Sequence, residues 1–61
     1  MTYYFKHPWT PSEILFSGSI MESIEFGDSF IAQVEQEEGI NFDLLPIDYI
    51  IDAETYNLIN G

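Results

Sequence analysis

Sixty-one residues without a cysteine leave room for one domain with one small core, and exclude disulfide staples and a thiolate metal site. A single lysine, Lys6, against eleven acids gives a formal net charge of −10, which excludes the basic phosphate contacts that direct nucleic-acid binding needs. The apolar share of 46% and aromatic share of 16% are too high for an acidic disordered tail, so a packed domain with its acids outside is expected over residues 1–61.

Tyr3-Tyr4-Phe5-Lys6-His7 is aromatic, and Pro8 biases it away from helix, which predicts a short strand ending near Lys6. Trp9 then lies in a rigid turn between Pro8 and Pro11. Thr10-Pro11-Ser12-Glu13 has the form of a helix start, with threonine as N-cap, proline in the first helical position and glutamate completing a capping box. That helix is predicted to run through Ile14, Leu15 and Phe16 and to end at Ser17-Gly18.

From Ser19 two readings compete, because Ile20 and Ile24 have helical spacing but also share a strand face with Phe26. The flanking Gly18 and Gly27-Asp28 favour the strand. They predict an acid-rich hairpin over Ser19 to Glu38, with a type II′ turn at Gly27-Asp28. Phe30, Ala32 and Val34 then face one way, and Ile31, Gln33 and Glu35 the other. Gln36 to Gly39 reads as a polar turn, and Ile40 to Pro46 as irregular chain crossing the core. Ile47 to Ile51 has strand character, Asp52 to Thr55 turn composition, and Tyr56 to Ile59 alternates again, suggesting a second hairpin. A terminal helix capped by Asp52 competes with it. The expected class is α+β: a small, mainly antiparallel sheet with one short N-terminal helix.

Chemistry-bearing motifs are sparse. His7 has no nucleophile beside it, and no glycine-rich phosphate loop precedes a helix. The acids from Asp43 to Asp52 lack the spacing of a calcium loop. No enzyme, metal or cofactor is expected. Nothing resembles a signal peptide, and no apolar run approaches the ~18 residues of a membrane span, so a soluble intracellular protein without membrane contact is expected. Trp9 reads first as core, with a protein-binding anchor as the alternative. Phe16, Phe26 and Phe30 also read first as core, and otherwise as the rim of a groove for a partner's apolar side chain.

The acid-rich stretch carries the functional reading. A strand rises about 3.3 Å per residue, close to the roughly 3.4 Å per phosphate along one DNA strand. Glu22, Glu25, Asp28, Glu35, Glu37 and Glu38 would therefore suit a basic groove shaped for phosphates, or else form a solvated surface that blocks aggregation. In strand register Glu22 shares a face with Ile20, Ile24 and Phe26, where a buried carboxylate is costly. An edge strand left open for a partner removes that cost.

In Glu22-Ser23-Ile24, small size and acidity the chain resembles the phage uracil-DNA glycosylase inhibitors, which mimic DNA. The resemblance implies an edge strand entering the DNA groove of the glycosylase in the host-cell cytoplasm. Glu22 and Ser23 would meet groups that hold phosphate, Ile24 would pack centrally, and Glu25, Asp28, Glu35, Glu37 and Glu38 would steer. It also implies an apolar pocket for an enzyme leucine, for which Phe16, Phe26 and Ile31 are candidates. In place of that family's long acidic helical segment after the triplet, the present residues read as a turn and a second strand. Two other readings are a DNA mimic against another target with a basic groove, such as a restriction or CRISPR nuclease, and a plain acidic interaction module. The number of copies in the assembly is left open.

Overall fold

The aromatic run Tyr3–His7 is extended, as expected of strand-forming residues ahead of a proline, and forms β1. In the computed structural model, which describes residues 1–60, the chain turns at Pro8-Trp9 and returns antiparallel as β2, Thr10–Gly18. The helix expected from Thr10 to Phe16 is therefore absent, and the apparent capping box at Thr10 and Glu13 caps nothing. Pairing with β1 decides this. Tyr3 sits opposite Gly18, Tyr4 opposite Ser17 and Phe5 opposite Phe16, which places Ile14, Leu15 and Phe16 where branched and aromatic side chains suit a sheet. The register then slips between Phe5 and His7, so that Pro11 falls in the irregular part of an edge strand, where a missing N–H is tolerated.

β2 leads at once into α1, Ile20–Glu38. This single helix replaces the hairpin expected over Ser19 to Glu38, and Gly27-Asp28 is no turn. Strong signals bracket it. Ser19 is the N-cap: its hydroxyl accepts the Glu22 N–H at 3.2 Å, while the Glu22 carboxylate accepts the Ser19 N–H at 3.1 Å, a complete capping box. At the other end Gly39 adopts the left-handed conformation, φ 69°, and donates its N–H to the Glu35 carbonyl at 2.8 Å.

Residues 40–45 are irregular as expected, with Ile40 and Leu45 exposed and Phe42 and Leu44 half-buried, so the segment lines the edge of the core. Asn41 turns it by accepting the Asp43 N–H at 2.8 Å, and Asp43 takes a positive φ of 57°, which a short polar side chain tolerates. A 3-10 turn, Pro46–Tyr49, stands where the strand from Ile47 was expected. Only Ile50–Asp52 is extended, as β3. The second hairpin gives way to its competitor, the terminal helix α2, Ala53–Asn60. Asp52 caps it by accepting both the Thr55 N–H (2.9 Å) and the Thr55 hydroxyl (3.0 Å).

The sheet has three antiparallel strands in the order β2-β1-β3, with β1 central. The α+β class thus stands, with its helices after the β-hairpin rather than within it. Phe5, at the middle of β1, is fully buried and is met edge to face by Phe26 and Phe30 of α1 and by Tyr49, at ring-centroid distances of 5.7, 6.1 and 6.3 Å. Gly27 lets α1 lie against it. A Cβ there would collide with Phe5 Cε2 and stand 2.9 Å from both Phe5 Cδ2 and Pro46 Cβ.

Candidate functional site

α1 carries six of the eleven acids and no basic residue: Glu22, Glu25, Asp28, Glu35, Glu37 and Glu38. Its sheet-facing side is lined by Ser23, Gly27 and Ile31, so residues three apart on the far side look outward. Glu22, Glu25 and Asp28 are all exposed there, spaced about 4.5 Å along the axis at 1.5 Å per residue. The one-to-one match with phosphate spacing that a strand would offer is therefore lost. The carboxylates remain, without the cost of a buried charge, because Glu22 shares no face with Ile20 and Ile24 in a helix.

Two acids are held below their ordinary carboxyl range. The Ser19 backbone N–H, followed by the Ser19 side chain, lowers Glu22; the Thr55 backbone N–H, followed by its hydroxyl, lowers Asp52. Glu22 also sits in the first helical turn, where negative charge is favoured. Glu37 and Glu38 break that rule, since they extend from the last turn, whose carbonyls are already partly negative, and no basic residue offsets them. Glu35 is only half exposed and accepts the Phe42 N–H at 2.8 Å, which pins the irregular segment to the end of α1.

Several sequence expectations need correction. The Glu22-Ser23-Ile24 triplet lies in a helix and not on an edge strand; the sheet edges are β2 and β3. Ser23 is fully buried, so it offers nothing to a partner, and Ile24 is half-buried. Phe16, Phe26 and Ile31 form no pocket. Phe16 and Phe26 stack at 5.0 Å, Ile31 is 5% exposed, and the described residues enclose no cavity. In so small a core the rings fill the space with one another.

Trp9, read first as core, is 49% exposed. It stands between His7 and Phe42 in a chain of rings running Phe26, Phe30, His7, Trp9, Phe42, whose order in space no local pattern reveals. Among the described residues no three His, Cys, Asp or Glu side chains gather to hold a metal ion, and no helix is long and apolar enough to cross a membrane. Compared with models of known families, with characterised proteins and with solved structures, the chain matches none.

Proposed function

We propose that the protein is a non-catalytic, DNA-mimicking inhibitor that lays α1 in the basic DNA groove of an enzyme, and that its target is uracil-DNA glycosylase. The observation that carries this reading is the charge of α1. Five exposed carboxylates, Glu22, Glu25, Asp28, Glu37 and Glu38, stand on a helix of 19 residues with no cation of its own. At 1.5 Å per residue that helix is roughly 28 Å long, a span holding about eight phosphates along one DNA strand. Such a rod is drawn to a groove that holds phosphates, and a net charge of −10 with one lysine leaves it no comparable attraction to DNA itself.

The resemblance contributes the choice of target. The long acidic helical segment of that family has a counterpart in α1, although the triplet lies inside this helix rather than on a strand before it. Contact falls to Glu22, Glu25 and Asp28, and the acids of the last turn steer.

The test is uracil excision by the glycosylase with this protein at equal molar ratio and at tenfold excess. Strong suppression at equal ratio is expected, weakened several-fold by Glu25→Lys with Asp28→Lys, both exposed positions. Complete excision at tenfold excess removes the glycosylase as target, and a DNA-cleavage assay with a restriction or CRISPR nuclease at the same ratios then tests the mimicry itself.

A further inference from the structure

Trp9 is an exposed apolar side chain with ring neighbours in both His7 and Phe42. Its ring meets Phe42 edge to face at 5.2 Å and 69°, and His7 at 5.9 Å and 70°. Its backbone N–H donates to His7 Nδ1 at 3.1 Å. Pro8 and Pro11 restrict the chain on either side. The supports are themselves anchored, since His7 packs on Phe30 of α1 at 5.6 Å and the Phe42 N–H is bonded to Glu35. The ring is thus supported by two ring neighbours while nearly half the residue stays open to solvent. A supported, half-open tryptophan suits an interface anchor, because tryptophan is enriched at hot spots and a packed ring loses less side-chain entropy on binding.

Charge decides what it receives. Through Phe42 and Glu35 the ring is linked to the last turn of α1, which carries Glu37, Glu38 and partly negative carbonyls and has no basic residue of its own. A second copy of this chain would bring another −10 to the same place. A cationic side chain satisfies both the ring and the helix end. Of the two candidates, the planar and weakly hydrated guanidinium stacks on an indole better than a compact ammonium.

We propose that Trp9, on its Phe42 support, is the docking anchor for an arginine side chain of the protein's basic partner. The inference rests on the reading that the partner is basic, but not on which enzyme it is.

Trp9 is the only tryptophan, so its fluorescence reports on this site alone. Intact protein at low ionic strength is titrated with octa-arginine and, separately, with octa-lysine, following emission and heat. Octa-arginine should give a saturable change in emission and bind more tightly than octa-lysine. Trp9→Leu, checked for its fold by circular dichroism, should weaken octa-arginine about three- to tenfold and octa-lysine less. Octa-arginine binding heat without an emission change, an affinity unchanged in Trp9→Leu, or no binding overturns the proposal. The wild-type titration needs no variant. A response at Trp9 in a protein that fails to inhibit the glycosylase refutes that target and leaves the anchor standing, whereas inhibition without a response refutes the anchor alone.

Discussion

Gly27→Ala tests the packing that places α1. In an exposed helix this change would stabilise by about 1 kcal/mol, because alanine loses less backbone freedom. Here the added methyl would stand at 2.9 Å from Phe5 Cδ2 and from Pro46 Cβ, about 0.5 Å inside the 3.4 Å of ordinary contact, and would overlap Phe5 Cε2. Phe5 cannot retreat, being fully buried among Phe26, Phe30 and Tyr49. Overpacking of this kind costs about 1–3 kcal/mol, and three short contacts to ring and proline place it at the upper end. The net expectation is a loss of about 2 kcal/mol, a fall in Tm of roughly 8–16 °C for a chain of this size.

Thermal unfolding followed by far-ultraviolet circular dichroism measures it. The control Ala32→Gly, on the exposed side of α1, should cost only the ~1 kcal/mol of helix propensity, a fall in Tm of roughly 4–8 °C. Phe5→Leu combined with Gly27→Ala isolates the contact. The pair should cost less than the sum of the single changes, because the smaller side chain makes room. A Gly27→Ala protein as stable as the parent, or strictly additive effects, would refute the argument that this glycine exists for close approach.

Three further outcomes are expected. Among the described residues Ser23 Oγ is buried without a hydrogen-bond partner, so Ser23→Ala should raise stability by about 1 kcal/mol in urea unfolding, and a loss of stability would show that the hydroxyl is bonded. Glu22 is depressed in the folded state, so its charge stabilises above the ordinary value of 4.5 and that contribution disappears as pH falls through the lower folded value. The Tm advantage of the parent over Glu22→Gln, which keeps the box without the charge, should therefore be present at pH 7 and vanish on acidification below 4.5; an advantage that grew in acid would reverse the sign. Finally, the screening length falls from about 30 Å at 0.01 M salt to about 10 Å at 0.1 M, while the molecule measures 36 × 21 × 15 Å. Adding sodium chloride over that range should raise Tm, since most carboxylates then cease to repel one another, and a constant Tm would show that the acids do not strain the fold.

What the sequence determines by itself is composition and local chemistry. Charge follows from counting, and the stop and start signals act within four residues. Ser19 with Glu22, Gly39 and Asp52 with Thr55 each make their caps with neighbours in the chain. The first two mark the ends of α1, whereas the hairpin expectation rested on Gly18 and Gly27-Asp28, whose turn character the helix overrides. β1 could be read because a proline and a run of aromatics restrict the backbone residue by residue.

Tertiary structure decided the rest. Thr10 to Phe16 carries a genuine helix-start pattern, overridden because β1 needed a partner: Phe16 pairs with Phe5 and Ile14 with Lys6, and residues 14–16 become half-buried there. Gly27 has no side chain because Phe5 and Pro46 stand against it, a fact about residues 5 and 46 that no window around 27 contains. Trp9 meets Phe42 across 33 positions of sequence, and that contact, together with the burial of Ser23, moves the candidate surface from the triplet to the outer face and C-terminal end of α1. Burial and long-range contact are properties of the packed chain, and in a core of this size a few rings determine them.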